Sequence, residues 1–248
     1  MISTSRALVI KGRIMEAKYK RILLKISGES LAGEKHHGFS APSLTATAKQ
    51  IATLAKSGVQ VGVVVGGGNF WRGREGDEMD RTTADYMGML ATVINALAVS
   101  DALERQGVES RVMTALAIDK IGEPYNVKTA KRYLSEGIVV VFGGGTGNPF
   151  FSTDTGASLR AAETGADVLL LAKNIDGIYD SDPKTNPNAK KFDKLTYDEY
   201  VEKGLRALDT SAVVMCKENG IKIHAFGNLD DNSIVDAVFA DAAGTVVY

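Results

Sequence analysis

The chain has 248 residues, of which 44% are hydrophobic and 24% charged, and its formal net charge is −1. This length fits one large α/β domain or two small ones, and the near-neutral charge argues against a dedicated nucleic-acid-binding protein, which usually has a basic excess. The single cysteine, Cys216, excludes a disulfide framework and a Cys-based zinc site, and no apolar run approaches the ~20 residues of a membrane span. We therefore expect a cytoplasmic protein with no membrane partner.

The first 18 residues contain only one short apolar stretch, ALVI. A secretory signal needs an apolar region of about 7–15 residues, so we do not expect one here. We predict a disordered tail over residues 1–18, with Met15 as an alternative start, and a single domain over 19–248.

Short apolar runs alternate with amphipathic stretches along the rest of the chain. The predicted strands are 21–26, 59–65, 137–143, 166–172, 221–226 and 245–248. The predicted helices are 44–57, 83–106, 127–136, 154–164, 209–219 and 233–240. Because the strand runs are continuously apolar, both faces of the sheet should be covered. The alternation predicts an α/β fold, a three-layer αβα sandwich with a mostly parallel central sheet.

Two segments stand out from this alternation. The long helix at 83–106 has an apolar face that is either core or a subunit interface, and the sequence leaves both open. The polar segment 180–195 is predicted to be a surface excursion, in the form of a hairpin.

Glycine and polar residues occur together after four of the predicted strands. The segments are KISGES, GGGNFWRG, GGGTGNPFFSTD and KNIDGIYDSDP. Ligands of open parallel sheets bind beyond the carboxyl ends of the strands. Glycine-rich turns bring backbone N–H groups close to phosphate oxygens, so two triple-glycine turns indicate two phosphate-bearing ligands. The alternative is that they are tight strand–helix turns.

Neither glycine-rich turn matches the common nucleotide fingerprints. There is no G-x-x-x-x-G-K-[ST] motif, and the last position of a G-x-G-x-x-G reading is Trp71 in one turn and Asn148 in the other. A nicotinamide-dependent oxidoreductase is therefore disfavoured.

Three charged residues near these turns are candidates for phosphoryl transfer, which needs positive charge around the transferred group. Lys25 ends a buried strand, where its ammonium either reaches a partner or extends to solvent. Arg72 either grips phosphate as a fork or is a solvated loop residue. Asp154 either caps a helix or orients Lys25.

None of the histidines, His36, His37 and His224, is placed as a general base. A sugar or alcohol acceptor usually requires one, whereas a phosphate acceptor is already largely ionised at pH 7. The lack of a base favours a nucleotide or acyl acceptor.

Five segments resemble the bacterial uridylate kinases, a branch of the amino acid kinase family with the carbamate kinase-like fold. They are YKRILLKISGESL, VGVVVGGGNFWRG, DYMGMLATVINALAVSDAL, GGGTGNPFFSTDTGASLRA and KNIDGIYDSDP. The resemblance covers about residues 19–248. The segments DYMGMLATVINALA and GTGNPFFSTD are specific to this branch. It implies ATP-dependent phosphorylation of UMP to UDP in pyrimidine nucleotide biosynthesis.

The resemblance also implies roles for individual residues. Lys25, Arg72 and Asp154 resemble the catalytic residues, with Lys25 stabilising the transferred phosphoryl group and Asp154 organising Lys25. The implied ATP contacts are Lys25, Ser27, Gly28, Gly68, Arg72, Lys173, Asn174, Tyr179 and Asp182. Some relatives carry lysine where this chain has Asn174, so either Lys173 or Asn174 is the ATP contact. The implied UMP contacts are Gly67, Asp85, Thr146, Gly147, Asn148, Pro149, Phe150, Phe151, Ser152 and Thr153, of which Gly67 would bind the phosphate and Asp85 the ribose.

The resemblance further implies Mg²⁺ held mainly by the nucleotide phosphates, without a dedicated protein ligand. Relatives form homohexamers that GTP activates and UTP inhibits. The loop 33–39, GEKHHGF, resembles the region tied to GTP regulation, and its His36–His37 pair departs from the usual pattern.

Two other functions fit the same fold. Kinases for carbamate, glutamate, acetylglutamate or isopentenyl phosphate have acceptors without a ribose, so Asp85 would lack a function. A non-catalytic nucleotide-binding or storage protein would not need Lys25, Arg72 and Asp154, which this chain retains.

Overall fold

The computed structural model describes residues 6–10, 13–71, 79–227, 232–240 and 243–248. The strands are β1 Ala7–Ile10, β2 Arg13–Glu16, β3 Arg21–Ile26, β4 Gln60–Val65, β5 Ser110–Thr114, β6 Glu123–Pro124, β7 Val139–Gly143, β8 Val168–Lys173, β9 Ile178–Tyr179, β10 Lys191–Phe192, β11 Lys194–Leu195, β12 Lys222–Gly227 and β13 Thr245–Val247. The α-helices are α1 Gly28–Ala32, α2 Ala41–Lys56, α3 Arg81–Arg105, α4 Val127–Ser135, α5 Thr153–Thr164, α6 Tyr197–Glu202, α7 Thr210–Glu218 and α8 Ser233–Phe239.

The central sheet has nine strands in the order β11-β13-β12-β8-β3-β4-β7-β5-β6. All neighbouring strands in it run parallel except β12 and β13, which are antiparallel. Strand β3 lies in the middle, between β4 and β8. The sheet is the mostly parallel one that the sequence predicts.

Helices cover both faces of this sheet. Ile22 and Leu24 of β3 belong to a core with α2, α3 and α8, while Leu23 belongs to a second core with α4, α5, α6 and α7. A strand whose successive side chains enter two cores must be apolar at every position, which is why the strand sequences do not alternate in polarity. The predicted three-layer αβα sandwich is confirmed.

The predicted strands and helices are all present, with ends shifted by at most three residues. Strands β5, β6 and β11 of the central sheet and the short helices α1 and α6 are additional. The sequence does not reveal β5 because Ser110 and Arg111 interrupt its apolar run. The predicted hairpin over 180–195 agrees with the antiparallel pairing of β9, which directly precedes this segment, with β10, which lies within it.

The N-terminal segment differs from the predicted disordered tail. Strands β1 and β2 form an antiparallel hairpin, and Leu8 and Met15 pack against the core of α2 and α8. The main-chain N–H of Lys18 donates to the carbonyl of Val238 at 3.0 Å. Residues 7–10 and 13–16 are therefore strands where the sequence predicts disorder, because Leu8 and Met15 take partly buried positions against the core.

Helix α3 is long and apolar enough, by length and composition, to cross a membrane. However, 56% of its most apolar window is buried within the protein. The core helix of a soluble domain has the same properties, and the contacts of α3 with β7, β5 and α2 are those of a core helix.

Candidate active site

The turns after strands β3, β4 and β7 meet at the carboxyl edge of the sheet. The N–H of Gly66 donates to the carbonyl of Ile26 at 2.9 Å. A Cβ atom at Gly66 would lie 3.5 Å from the nitrogen of Gly28 and 3.8 Å from Oγ1 of Thr153. Three glycine and polar segments that are far apart in sequence thus form one cluster, as expected for parallel strands.

The start of helix α5 aims a carboxylate at this cluster. The hydroxyl of Ser152 accepts from the N–H groups of Asp154 at 3.1 Å and Thr155 at 3.2 Å, so Ser152 is the N-cap. Asp154 therefore does not serve as the cap, and its Oδ1 lies 2.8 Å from Nζ of Lys25. Both side chains of this ion pair are only 16% exposed. In the structure Lys25 thus reaches a partner and does not extend to solvent, and Asp154 contacts Lys25 and does not cap the helix.

A second lysine approaches the same carboxylate. Lys173 ends β8, which pairs directly with β3, and its ammonium donates to the carbonyl of Ala207. Burial lowers the pKa of Lys173, with Asp154 and Asp209 opposing this and Lys25 adding to it. The cluster thus has two ammonium groups around Asp154, and such an arrangement can stabilise negative charge that develops on a phosphoryl group.

One cavity, of about 410 Å³, opens beside this cluster. Its wall includes eight of the ten residues predicted to bind UMP, namely Gly67, Asp85, Thr146, Asn148, Phe150, Phe151, Ser152 and Thr153. Gly147 and Pro149 belong to the same loop but do not line the cavity, whereas Gly68, predicted for ATP, does. The cavity is thus built from the turn after β4, the first turns of α3 and the loop between β7 and α5.

Helix α3 packs directly on the turn that follows β4. A Cβ atom at Gly67 would lie 2.8 Å from the carbonyl oxygen of Gly88 and 2.9 Å from Cβ of Ala91. Only glycine allows this approach, which brings the N-terminal half of α3 to the cavity. At the other triple-glycine turn, glycine is instead required by backbone conformation, since φ is +81° at Gly144 and +58° at Gly145.

Asp85 joins helix α3 to the loop between β7 and α5. Its Oδ2 accepts from the N–H of Phe150 at 2.8 Å and from Nε of Arg81 at 2.9 Å. Arg81 also lies over the ring of Phe150, 5.4 Å from its centroid. Phe150 has a φ of +71°, which a non-glycine residue rarely adopts, so these contacts hold the loop in a strained conformation. Both contacts use Oδ2, so neither of them occupies Oδ1.

Another cavity, of about 660 Å³, lies beyond the end of β8. Lys173, Tyr179 and Asp182 line it, together with the apolar residues Ile175, Pro183, Leu205 and Ala207. Asn174 is exposed and is not part of the wall, so Lys173 is the residue that faces this cavity. The wall also includes the polar or charged residues Asp180, Ser181, Lys184 and Arg206, so it combines apolar surface with several polar groups. Such a mixed wall suits a base, a ribose and phosphates.

The wall of this second cavity is braced by Asp176. Its Oδ1 accepts from the hydroxyl of Tyr179 at 2.6 Å, and its Oδ2 lies 2.9 Å from Nζ of Lys191. The hydrogen bond to Asp176 raises the pKa of Tyr179. Tyr179 and Lys191 also pair across β9 and β10, so the strands and the side chains fix the same wall.

The ion pair of Lys25 and Asp154 lies between these cavities. Thr153 lines the first cavity, and Lys173, which lines the second, interacts electrostatically with Asp154, the residue next to Thr153. Ser27 caps the short helix α1, since its hydroxyl accepts from the N–H of Glu29 at 3.3 Å, and it lies on the same edge of the sheet. Arg72 lies outside the described residues.

The structure adds residues that the sequence interpretation missed. Arg81 and Asp209 line the first cavity, as do Trp71, Thr92 and Ser211. Arg81 stands four positions before Asp85, but the predicted helix begins at residue 83 and does not include it. In the structure α3 begins at Arg81, so the two side chains pair across one helical turn. Asp209 precedes α7, and only the fold brings it near Lys173, so its position gives no comparable signal.

The comparisons with known proteins agree on one family. The model of the amino acid kinase family matches residues 20–227. The structure is similar to that of UMP kinase from Bacillus anthracis, with a TM-score of 0.85 and 34% identity over 92% of this chain and 96% of that one. It is similar to UMP kinase from Ureaplasma parvum, with a TM-score of 0.85 and 37% identity over 93% and 99%. Uridylate kinase from Archaeoglobus fulgidus matches with a TM-score of 0.70 and 28% identity over 92% and 99%.

Proposed function

This chain belongs to the amino acid kinase family, and on that premise we propose that it is a UMP kinase, which transfers the γ-phosphoryl group of ATP to UMP to give UDP and ADP. The observation that carries this proposal is the partly buried Lys25–Asp154 ion pair between two ligand-sized cavities. The similarity to two bacterial UMP kinases along almost the whole chain supports it.

In this proposal ATP occupies the cavity beyond β8 and UMP the cavity beside α3. Phosphoryl transfer is catalysed mainly by positioning and by charge stabilisation. Lys25 and Lys173 neutralise the charge on the transferred group, and Asp154 keeps Lys25 in place. The acceptor phosphate of UMP is already largely ionised at pH 7, so the reaction proceeds without a general base.

Asp85 and the loop 146–153 distinguish UMP from other acceptors. A carboxylate oxygen at the cavity wall can accept both ribose hydroxyls, and Asp85 is held for this by Arg81 and the N–H of Phe150. The loop supplies the polar and aromatic wall for uracil. Ser27, Gly28 and Gly68 contact ATP phosphates in this proposal, and Arg72 acts with them.

Mg²⁺ enters with ATP in this proposal and is held mainly by phosphate oxygens and water. Within the described residues, no group of three or more His, Cys, Asp or Glu side chains could hold a metal ion. Asp209 at the wall of the first cavity could supply one carboxylate oxygen to an ion carried by the nucleotide. When bound, the ion neutralises phosphate charge during transfer.

We further propose that residues 19–248 form one domain and that the cytoplasmic protein assembles into a homo-oligomer, with a hexamer as the expected form. Four apolar residues on one stripe of α3 are exposed, and such a stripe on a long helix fits an interface between copies. The stripe consists of Tyr86, Leu90, Ile94 and Leu97. Activation by GTP and inhibition by UTP remain expectations that rate measurements with each nucleotide would test.

The experiment that tests the proposed function is ADP release from Mg-ATP with a panel of acceptors: UMP, CMP, dUMP, AMP, GMP, acetylglutamate and carbamate. We expect rapid turnover with UMP and rates at least about 100-fold lower with AMP, GMP and the non-nucleotide acceptors, because their shapes do not fit the uracil and ribose positions. Turnover with acetylglutamate or carbamate instead would identify another member of the family.

A further inference from the structure

Two buried asparagines lie beneath the glycine-rich turns. Asn69 directly follows the turn 66–68, and Asn95 lies on the inner side of α3. Their exposed fractions are 1% and 0%. Neither belongs to the wall of the two cavities described above. Buried side-chain amides are normally hydrogen-bonded, and a fully bonded amide network makes the surrounding segments rigid.

The two side chains are bound to each other and to the turn. Nδ2 of Asn95 donates to Oδ1 of Asn69 at 2.7 Å and to the carbonyl of Gly66 at 2.6 Å. Nδ2 of Asn69 donates to Oδ1 of Asn95 at 3.1 Å and to the carbonyl of Gly38 at 2.8 Å. Each amide nitrogen faces a main-chain carbonyl, so both amide orientations are determined. The pair therefore connects α3, the turn after β4 and the loop before α2.

The turn after β3 rests on the same pair. A Cβ atom at Gly28 would lie 2.4 Å from Oδ1 of Asn69, 2.4 Å from the carbonyl of Gly66 and 3.1 Å from Nδ2 of Asn95. Gly28 thus touches the amides directly, and no larger residue fits there. Any shift of the amide pair would move this turn and the turn 66–68 relative to each other.

We propose that Asn69 and Asn95 are positioning residues for phosphoryl transfer, which set the distance between Gly28, a donor-phosphate contact in the turn after β3, and Gly67, the acceptor-phosphate contact in the turn 66–68. The inference rests on the proposed function, in which Gly28 and Gly68 contact ATP and Gly67 contacts UMP. In-line transfer depends on that distance, and a misplacement of about 1 Å can lower a rate by about 100-fold.

The amides have a counterpart one turn earlier on the same helix. The hydroxyl of Thr92 accepts from the N–H of Gly144 at 2.8 Å, in the triple-glycine turn after β7. Helix α3 therefore holds one triple-glycine turn through Thr92 and the other through Asn95. This is the arrangement expected if α3 fixes the relative positions of the turns as well as packing in the core.

The test is a double-mutant cycle with Asn69→Ala, Asn95→Ala and the double variant, assayed with UMP and Mg-ATP. We expect each single variant to lower kcat by about 10- to 100-fold while both KM values change less than about threefold, because alignment is lost more than binding. The double variant should be no worse than the poorer single variant by more than about threefold, since either change breaks the same unit.

Ser100→Ala is the matched control. Ser100 is also buried on α3, and its hydroxyl lies 2.7 Å from that of Ser110, away from the glycine-rich turns. We expect this variant to lower Tm while kcat stays within about twofold of wild type. If Asn95→Ala does not accumulate as folded protein, Asn69→Ser, which leaves a smaller cavity, decides the question by the same criteria.

Three outcomes would overturn the inference: folded asparagine variants with unchanged kcat, equal losses of kcat in Ser100→Ala, or multiplicative losses in the double variant. The wild-type rate separates this inference from the function on which it rests. Active wild type with unaffected variants refutes only the positioning role. Wild type without UMP turnover refutes the proposed function, and the positioning role with it.

Discussion

The proposed UMP site depends most directly on Asp85, because its carboxylate is the expected acceptor from the ribose. It lines the first cavity and is held by Arg81 and the N–H of Phe150. We expect Asp85→Asn to weaken UMP binding by about 10- to 100-fold while ATP affinity stays nearly unchanged, because a charged acceptor of hydroxyl hydrogen bonds is lost. Isothermal titration calorimetry with each nucleotide measures this difference.

The matched control for Asp85→Asn is Asp101→Asn. Asp101 lies on the same helix and forms an exposed ion pair with Arg105, so its replacement should leave both affinities within about twofold. Equal weakening of UMP and ATP in Asp85→Asn would show that Asp85 supports the fold of the site and does not select the acceptor.

The buried imidazole of His224 should make the stability of the protein depend on pH. It is 5% exposed, and burial, with a smaller contribution from Lys18, lowers the pKa of His224 to about 4 from 6.5. Above pH 6.5 the imidazole is neutral in both the folded and unfolded states. Between pH 6.5 and 4 the unfolded state takes up a proton first, so the free energy of unfolding should fall by up to about 3 kcal/mol.

Urea denaturation of wild type and His224→Leu at pH 7 and pH 4.5 measures this contribution. The variant should lose less stability over that interval than wild type, by about 2 to 3 kcal/mol. The same loss in both proteins would mean that other groups cause the acid sensitivity.

The N-terminal hairpin, β1 and β2, lies away from the active site. A Cβ atom at Gly58, shortly before β4 begins, would contact Arg6, so the hairpin is near the amino ends of the strands. Deleting residues 1–16 removes Leu8 and Met15 from the core edge. We expect unfolding free energy to fall by about 2 kcal/mol and Tm by about 4–8 °C, with kcat within about twofold of wild type.

Thermal unfolding and UMP turnover of the shortened chain measure these two effects. Its Tm should be compared with that of Ile14→Ser, which changes an exposed residue of the same hairpin and should alter Tm by less than about 2 °C. A shortened chain with unchanged Tm would place the hairpin outside the cooperative fold, and one without activity would give the hairpin a role at the site.

The sequence predicts the strands and helices that have a clear apolar pattern, but it predicts few of the side-chain contacts between them. Lys25 and Asp154 are suggested because each follows or precedes a glycine-rich turn, and a parallel sheet brings such turns together. By contrast, the contact of Asn69 with Asn95 depends on how α3 crosses the sheet. The position of Asp209 at the first cavity is equally hard to predict, because an aspartate before a helix is usually interpreted as an N-cap.

The N-terminal hairpin is an ordered element that the sequence does not predict. Its strands have four residues each, too few to carry a recognisable pattern, and basic residues on either side suggest a tail. Their stability comes from packing on α2 and α8, which is a tertiary contact. The conformation of Phe150 is also invisible in the sequence, since its φ of +71° is maintained by Asp85 and Arg81.

The exposed apolar stripe of α3 is the expected interface between copies of the chain. Leu90 and Ile94 are 47% and 45% exposed and lie one turn apart on the stripe. We expect Leu90→Glu with Ile94→Glu to reduce the oligomer to smaller species, because charged residues are excluded from apolar interface cores. Light scattering after size-exclusion chromatography measures the mass.

Exposed apolar residues elsewhere provide the control for this change. Val201→Glu with Val214→Glu places the same charges on α6 and α7, and the oligomer should persist. An unchanged mass for the Leu90 and Ile94 variant would contradict an interface at α3, and a monomeric wild type would contradict the oligomer itself.

The central claim is that this chain moves a phosphoryl group from ATP to UMP with Lys25 at the transferred group. The most direct measurement is the initial rate of label transfer from [γ-³²P]ATP to UMP by wild type, Lys25→Ala and the surface control Lys217→Ala. We predict labelled UDP with wild type and Lys217→Ala at similar rates, and a loss of at least about 1,000-fold with Lys25→Ala, because the charge of the transition state would be uncompensated. Absence of labelled UDP with wild type, or a loss below about tenfold with Lys25→Ala, would contradict the account.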